Sequence, residues 1–438
     1  MIEPRSTDTP PEQRVVLVGL QLHGDDQAFE EPLAELERLA HTAGGTVVGR
    51  VLQRRHKPDS KTFIGKGKVL EVAEVARRED AHLVLFDNDL TPAQERNLEE
   101  SLGVGVVDRS RLILDIFALR ARTREARLQV ELAQLEYTRS RLKRMWTHLE
   151  RLEGAIGTRG PGEKQIEEDR RLIDRRIQQL RRALDVEEKR RETRAAARAG
   201  YFTISLVGYT NAGKSTLLRE LTGAHAFVED KLFATLDTQT RAWDLPGNQR
   251  VFLSDTVGFI RDLPHHLVAS FRSTLAEAAE ADLLLHVVDA SSPDAEAHIR
   301  VVNDVLDEIG AGSARVLVLN KMDAVRDALA AAPLVQAHPR AVPVSAATGE
   351  GLAELAGRVS DVVQSAFVPI DVRVPASAGR LLALLADSAN VLERRYDGDE
   401  VLVRARASRR DAVRIRREME RLGLPAPGLA TADDGSGT

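Results

Sequence analysis

Apolar residues in the first hundred positions form short β-like runs that alternate with longer stretches of helical spacing. The runs predict strands at 14–22, 46–53, 82–87 and 103–107, with helices at 30–43 and 91–102 between them. Strands that alternate with helices are typical of a largely parallel sheet. We therefore expect a small α/β subdomain over residues 14–108, preceded by a polar, disordered segment at 1–13.

Residues 109–198 show a heptad pattern instead. Apolar positions recur every seven residues at Leu128, Leu135, Leu142 and Leu149, and after a glycine-rich break the stripe resumes at Ile166, Ile173, Ile177, Leu180 and Leu184. Two amphipathic helices joined by a short connection pack antiparallel against each other. The segment 109–198 is therefore predicted to be a helical hairpin whose stripe residues serve packing.

The connection at 154–163 is richer in glycine than a turn between two helices requires. It contains four glycines and one proline, whereas such a turn needs about two to five residues and one glycine. Extra glycines allow the backbone to approach a partner closely, and the neighbouring Arg159 and Lys164 supply charge for phosphates. An RNA-contacting loop and a flexible turn both fit this composition.

Beyond residue 200 strands and helices alternate again. Residues 201–366 have the pattern of a second α/β domain, and residues 369–424 show a shorter βαβα pattern that predicts a small α+β domain. The last helix of that domain is basic, with Arg409, Arg414 and Arg417 among its residues, which suits either a polyanion contact or a solvated face. The low-complexity residues 425–438 are expected to be disordered.

Charge is distributed unevenly along the 438 residues. The whole chain carries −5, but residues 109–200 hold 24 Lys and Arg against 15 Asp and Glu, an excess of nine positive charges that leaves −14 for the rest. A basic segment inside an acidic chain indicates a local anionic partner, of which nucleic acid is the commonest. A solvated basic helix face is the alternative interpretation.

Cysteine is absent, which excludes disulfides, thiolate zinc sites and cysteine nucleophiles and suits a reducing compartment. No apolar run approaches the ~18 residues that can span a bilayer. The first residues also lack the apolar stretch of a signal peptide. These features predict a soluble, cytoplasmic protein, and we expect it to be a monomer.

The segment from Gly208 to Ser215 holds the first candidate chemistry. It matches GxxxxGK[ST] and lies between a predicted strand at 202–207 and a helix that begins near Lys214. Backbone N–H groups in such a loop form an anion site, and Lys214 would neutralise the β- and γ-phosphates while Ser215 offers a hydroxyl to Mg²⁺. The predicted phosphate-binding residues are Gly208, Tyr209, Thr210, Asn211, Ala212, Gly213, Lys214, Ser215 and Thr216.

A DxxG sequence, composed of Asp255, Thr256, Val257 and Gly258, follows a predicted strand at 251–253. An acidic residue at this strand end holds the Mg²⁺ shell through water, and the N–H of Gly258 can meet the γ-phosphate. DxxG alone is common, but its position after a phosphate-binding loop makes it informative.

An NKxD sequence with Asn320, Lys321 and Asp323 follows an apolar strand at 315–319. The carboxylate of Asp323 can accept hydrogen bonds from the ring N–H and the exocyclic amine of guanine, a donor pair that adenine lacks. Ser345, Ala346 and Ala347 follow a further strand at 341–344, where backbone N–H groups can bind the guanine oxygen. The motifs together predict a GTP-hydrolysing P-loop G domain of the α/β class over 201–366.

A polar stretch between the phosphate-binding loop and DxxG supplies candidates for a nucleotide-sensing switch, namely Phe233, Ala234, Thr235, Leu236 and Asp237. Thr235 is predicted to bind Mg²⁺ when a γ-phosphate is present. Thr238 and Thr240 compete for that role on local sequence. Lys214, Thr235 and Gly258 are the residues expected to act in hydrolysis.

Four segments also match the signature sequences of a known family. They are FIGKGK at 63–68, GTRGPGE at 157–163, FATLD at 233–237 and DTVGFIR at 255–261. In these segments, and over nearly its whole length, the chain resembles the HflX family of ribosome-associated GTPases. The resemblance implies GTP and GDP as ligands, Mg²⁺ as cofactor, the large (50S) ribosomal subunit and its rRNA as partners, and the splitting or rescue of ribosomes under stress.

One position departs from the common GTPase plan. Many GTPases place a water-orienting glutamine directly after DxxG, where this chain has Phe259, which cannot polarise water. The HflX family shares this substitution. The attacking water must then be positioned by backbone, by another switch residue or by the partner, and slow intrinsic hydrolysis that a ribosome stimulates follows from this.

Other interpretations stay open from sequence alone. Asn211 occupies a position at which some related GTPases bind K⁺, and a structural role in the loop is the alternative. A ribosome-assembly GTPase, or an RNA-binding protein whose G domain only senses nucleotide, would share the motifs. The segment 65–68 lacks the Ser or Thr that follows a phosphate-loop lysine and is predicted to be a turn before a helix at 69–78.

Overall fold

A computed structural model describes residues 13–22, 30–152, 161–196, 201–223, 233, 239–246, 249–261, 278–325 and 328–425. The chain divides into two compact units. The first unit comprises residues 1–186, 229–237 and 260–273, and the second comprises 187–228, 238–259 and 274–438. The segment 229–237, which contains the predicted switch residues 233–237, and the segment 260–273, which follows DxxG, thus belong to the N-terminal unit.

The N-terminal unit contains the parallel sheet that the alternating pattern predicts. Its elements are β1 (Gln13–Leu22), α1 (Glu30–Thr42), β2 (Gly45–Arg55), α2 (Lys66–Arg78), β3 (Leu83–Phe86), α3 (Pro92–Leu102) and β4 (Gly105–Asp108), with strand order β2-β1-β3-β4. Local sequence fixes the ends of α3, because Thr91 and Gln94 form a capping box and Gly103 ends the helix in a left-handed conformation. Helix α2 begins at Lys66, so residues 66–68, which were predicted to form a turn before a helix at 69–78, already belong to the first turn of the helix.

The structure differs from the prediction after β4. A separate helix, α4 (Arg109–Arg120), precedes the hairpin, whose helices are α5 (Arg124–Leu152) and α6 (Pro161–Ala196). The side chain of Asp108 caps α4 by accepting from the backbone N–H of Arg111. Leu112, Ile113 and Phe117 of α4 are all buried. Because several sides of this helix are covered, it has no single apolar stripe that would distinguish it from the hairpin.

The predicted apolar stripe does join α5 to α6. Leu132, Ile177 and Leu180 form a small buried core. Ion pairs bridge the rim, with Arg176 to Glu131 at 2.7 Å and Arg181 to Glu136 at 2.8 Å. Exposed pairs of this kind contribute little, so the apolar contacts hold the hairpin together.

The connection predicted at 154–163 is shorter than expected, because Pro161 already starts α6, a position that proline favours. Residues 161–163 therefore belong to the first turn of that helix. Arg159 and the side chain of Lys164 lie outside the described residues.

The second unit contains a six-stranded sheet that carries the motifs. Its elements are β5 (Phe202–Val207), α7 (Lys214–Thr222), β6 (Gln239–Leu245), β7 (Gln249–Asp255), β8 (Leu283–Asp289), α8 (Ala295–Glu308), β9 (Ala314–Asn320), α9 (Ala328–Ala337), β10 (Val342–Pro343) and α10 (Leu352–Ala366). The strand order is β10-β9-β8-β5-β7-β6, with β6 antiparallel to β7 and the other pairs parallel. Parallel strands end at one edge, so the segments that follow β5, β7, β9 and β10 converge there.

The C-terminal part of this unit contains one strand more than the predicted βαβα pattern. The elements are β11 (Phe367–Pro375), α11 (Gly379–Ser388), β12 (Asn390–Asp397), β13 (Glu400–Ser408) and α12 (Arg409–Arg421), and the antiparallel order is β11-β13-β12. The prediction missed β12, an edge strand rich in charged residues, which is a common way to protect an edge from further pairing.

None of the helices in the part of the chain that the structure describes is long and apolar enough to cross a membrane.

Candidate nucleotide-binding site

The loop from Gly208 to Gly213 is built around two positions where only glycine fits. At Gly208 a Cβ atom would lie 2.1 Å from the carbonyl oxygen of Val287, and φ is +154°. At Gly213, where φ is +91°, a Cβ atom would lie 2.3 Å from the side-chain nitrogen of Asn320. The first and sixth residues of the motif are therefore glycines because neighbouring strands approach the loop closely.

Lys214 lies inside this loop, at the start of α7. Its Nζ donates to the carbonyl oxygens of Gly208 at 3.0 Å and Tyr209 at 2.9 Å. Burial lowers the pKa of Lys214 to about 8, and the negative charge of Asp255 opposes that shift. The ammonium group is thus held inside the loop and is still mostly charged near neutral pH, which suits attraction of a polyphosphate.

Ser215 and Asp255 meet beside the lysine. The Ser215 hydroxyl donates to Oδ2 of Asp255 at 2.6 Å, and Asp255 is 1% exposed. A hydroxyl and a carboxylate oxygen are hard ligands of the kind that Mg²⁺ takes, and Mg²⁺ usually binds through one or two such groups together with substrate phosphates. The donor set therefore fits a magnesium ion at this point.

The DxxG segment lies against the phosphate-binding loop. A Cβ atom on Gly258 would lie 2.9 Å from the Cα of Thr210 and 3.1 Å from Nζ of Lys214. The next residue, Phe259, donates its N–H to the Gly208 carbonyl at 3.1 Å and accepts from the Thr210 N–H at 2.7 Å. Its ring is 2% exposed. Backbone hydrogen bonds therefore fix Gly258, while the phenylalanine ring is buried in the protein.

Asn320 connects the phosphate-binding loop to the segment after β10. Its side-chain nitrogen donates to the carbonyl of Ala212 at 2.8 Å, and its side-chain oxygen accepts from the N–H of Ala346 at 3.0 Å. The Asn320 side chain is fully buried, so both bonds are shielded from water. This asparagine thereby fixes the distance between two motifs that are far apart in the sequence.

Asp323 is an exposed carboxylate with a fixed orientation. The Ser345 hydroxyl donates to Oδ1 of Asp323 at 2.5 Å and accepts from the N–H of Thr348 at 3.1 Å. Because this contact fixes the first oxygen of the carboxylate, the orientation of the second oxygen of Asp323 is fixed as well. Ala346 is buried and Ala347 exposed in the same turn. The predicted base-binding residues are brought together.

Two residues that contact the motifs were not predicted from the sequence. Asp289, at the end of β8, forms an ion pair of 2.8 Å with Nζ of Lys321. His298, on α8, stacks on the ring of Tyr209 with centroids 3.9 Å apart. Asp289 follows an apolar strand, as the motif acids do, and that signal could have identified it. No local signal marks His298.

The remaining predicted residues fall into two groups. Thr216 lies in the first turn of α7, and Thr256 donates its hydroxyl to the Leu206 carbonyl at 2.6 Å, so both are placed beside the loop. Asn211 is exposed with φ of +62°, a conformation that asparagine tolerates well. Phe233 belongs to the first unit, and 234–237, including Thr235, lie outside the described residues.

Three family models match consecutive parts of the chain. "GTP-binding GTPase N-terminal" matches residues 30–118, "GTP-binding GTPase Middle Region" matches 120–198, and "50S ribosome-binding GTPase" matches 203–321. An archaeal crystal structure, described as a GTP-binding protein from Sulfolobus solfataricus in complex with GDP, is 25% identical and covers 81% of this chain and 99% of that one. Its TM-score of 0.42 is low, so this likeness adds nothing to the family assignment.

Sequence relatives give a firmer result. GTPase HflX of Alkalihalophilus pseudofirmus is 45% identical over 88% of this chain and 91% of its own length. GTPase HflX of Escherichia coli is also 45% identical, over 84% of this chain and 87% of its own. Identity at this level over nearly the whole of each chain, together with a site in which the four predicted motifs converge on one sheet edge, leads to one conclusion: the chain belongs to the HflX family of GTPases.

Proposed function

We propose that this site binds GTP with Mg²⁺ and hydrolyses it through Lys214, Thr235 and Gly258. The observation that carries the choice of guanine is the pair of Asp323 and Ser345, because the hydroxyl fixes one carboxylate oxygen and leaves the other to accept from the base. Asn320 supports this choice, since it holds the base-binding turn at a set distance from the phosphate-binding loop.

Each residue has a distinct part in the proposed hydrolysis. Lys214 stabilises charge on the β- and γ-phosphates, and the N–H of Gly258 binds the γ-phosphate. Ser215, Thr235 and, through water, Asp255 would hold the Mg²⁺, which would supply positive charge to the phosphates. The buried Phe259 ring orients no water, so intrinsic hydrolysis is slow and the binding partner completes the site.

We propose the large ribosomal subunit and its rRNA as that partner, and ribosome splitting as the outcome. Membership of the HflX family and the match to a "50S ribosome-binding GTPase" model support this choice. The basic hairpin supports it too, because α5 and α6 form an apolar-cored arm, with Arg159 in the connection and Lys164 near the start of α6. Phosphate contacts by such an arm would make binding strongly salt-dependent.

The proposal is tested by replacing residues 157–160 with two residues, which leaves Pro161 and the first turn of α6 intact. We expect GTP binding to persist and ribosome splitting to be lost, as measured on sucrose gradients of ribosomes with GTP. A matched control replaces the exposed Arg176 by Gln, which breaks one rim ion pair and leaves the connection untouched.

Three results would contradict the proposal. Splitting at the wild-type rate by the shortened variant would reduce the connection to a linker. Binding to subunit precursors without splitting of mature ribosomes would favour an assembly GTPase. Single-turnover phosphate release in the presence of ribosomes would favour an RNA-binding nucleotide sensor.

A further inference from the structure

The segment that follows DxxG changes units within three residues. Gly258 and Phe259 belong to the second unit, while Ile260 and Arg261 belong to the first. Phe259 and Ile260 are both buried, and Phe259 is held by two backbone hydrogen bonds. Three residues span at most about 10 Å, so the short chain between Gly258 and Arg261 can absorb only a small displacement of Gly258 before Arg261 must move.

Arg261 is bound within the first unit by a cluster of charged side chains. Its guanidinium donates to Oδ2 of Asp87 at 2.9 Å. Its backbone carbonyl accepts from Arg109 at 3.2 Å. Arg109 also donates to Oδ1 of Asp87 at 2.8 Å and forms an ion pair with Glu35. We call Glu35, Asp87, Arg109 and Arg261 the α4 charge cluster, because Arg109 is the first residue of α4.

The cluster occupies the place in the parallel sheet where ligands usually bind. In the order β2-β1-β3-β4 the chain leaves β1 toward one side and enters β3 on the other, which opens a crevice at the carboxyl ends of these two strands. Asp87 directly follows β3. Arg261 thus takes the position of a ligand that the chain itself supplies.

Arg261 is part of a largely buried set of ion pairs. The side chains of Glu35 and Arg109 are 3% exposed and that of Asp87 is 9% exposed. Arg109 and Arg261 both form ion pairs with Asp87, and removal of one partner of a buried ion pair is costly. Undocking of Arg261 would therefore destabilise the surroundings of Arg109 at the start of α4.

A second predicted switch residue contacts the same helix. The ring of Phe233 packs edge-to-face against Phe117 of α4, with centroids 4.6 Å apart, and Phe233 is 2% exposed. Its φ of +55° is uncommon for a bulky side chain and costs free energy that the surrounding packing must offset. An apolar contact and an ionic contact, from segments before and after DxxG, therefore meet on one helix.

We infer that α4 senses the nucleotide state: Arg261 and Phe233 are positioning residues that dock the two switch segments on this helix. The inference rests on the proposed function in one respect, namely that Gly258 contacts the γ-phosphate. When GTP holds Gly258, the docked position of Arg261 is favoured, and by linkage an intact cluster favours GTP over GDP. Helix α4 thereby transmits the nucleotide state to the N-terminal unit.

The test measures hydrogen exchange in the full-length protein saturated with GDP or with a non-hydrolysable GTP analogue. We expect the backbone amides of α4 to exchange at least about fivefold more slowly with the GTP analogue than with GDP. A factor of about five is the lower end of ordinary allosteric coupling. Arg261→Gln should abolish this difference and lower the ratio of GTP-analogue to GDP affinity by the same factor. Phe117→Leu, which keeps most of the apolar volume, should reduce the difference by about twofold or more.

Arg141→Gln is the matched control. Arg141 forms ion pairs with Glu95 and with Asp108, the residue that caps α4, but it touches no described switch residue. This variant should exchange faster with both nucleotides and keep the difference between them, which separates a loss of coupling from a general loosening of α4.

Three results would overturn the inference. Equal exchange of α4 with the two nucleotides in the wild-type protein, with both nucleotides bound, would refute the coupling and leave the nucleotide site intact. A difference that survives Arg261→Gln would show that the α4 charge cluster does not carry it. If neither nucleotide binds to the wild-type protein, the proposed function fails, and the inference fails with it.

Discussion

Replacement of Asp323 by asparagine provides the sharpest test of guanine recognition. The carboxylate is expected to accept two hydrogen bonds from guanine, and a hydrogen bond to a charged group contributes about 1.5–3 kcal/mol. Asp323 is exposed, so solvent screening lowers the sum of the two bonds. We expect a loss of about 2–4 kcal/mol, or about 30- to 1,000-fold in the Kd for GTP.

The structure also predicts what Asp323→Asn gains. Ser345 donates to one oxygen of the side chain at 2.5 Å, so the introduced amide should keep its oxygen toward Ser345 and turn its NH₂ toward the base. Xanthine has a carbonyl where guanine has an amine, and an NH₂ donor fits that carbonyl. The variant should therefore prefer XTP over GTP. Ser345→Ala in the same background should weaken that preference, because nothing then orients the amide.

Titration with fluorescent nucleotides measures both effects. Asp307→Asn is a suitable control, because Asp307 is an exposed carboxylate paired with Arg315 away from the motifs, and its Kd for GTP should match the wild type. A GTP Kd for Asp323→Asn within threefold of the wild-type value would refute the assignment. Equal binding of XTP with and without Ser345→Ala would refute the orienting role of that hydroxyl.

Two further predictions concern buried groups of the second unit. Phe259→Leu should keep intrinsic GTP hydrolysis within about tenfold of the wild-type rate, because the ring orients no water. Phe259→Ala should lower the free energy of unfolding by about 3–5 kcal/mol, since the ring is buried. A larger loss of rate in the leucine variant would give the ring a part in catalysis. Burial lowers the pKa of His286 from 6.5 to about 4, so the unfolded chain binds a proton before the folded protein does as pH falls. Denaturant titrations should therefore show that the free energy of unfolding falls by about 3 kcal/mol between pH 6.5 and 4, and His286→Leu should remove this contribution. An unchanged slope in His286→Leu would show that other groups set the acid sensitivity.

Local sequence was sufficient wherever the chemistry needs neighbouring residues. The loop from Gly208 to Ser215 could be predicted because a phosphate-binding loop requires glycines, a lysine and a hydroxyl at fixed spacing within one turn of chain. The stripe that joins α5 to α6 could be predicted for the same kind of reason, since helical periodicity is a local property. The edge strand β12 was missed because charged residues mask its period.

Only the tertiary structure showed which distant residues complete these motifs. Asn320 reaches Ala212 across 108 residues, and Arg261 reaches Asp87 across 174. The sequence also did not predict α4 as a separate helix, because burial on several sides leaves no amphipathic stripe. A motif fixes which atoms a site can offer, whereas the approach of strands and the need to neutralise buried charge decide which partners those atoms meet, and neither of these is encoded in local spacing.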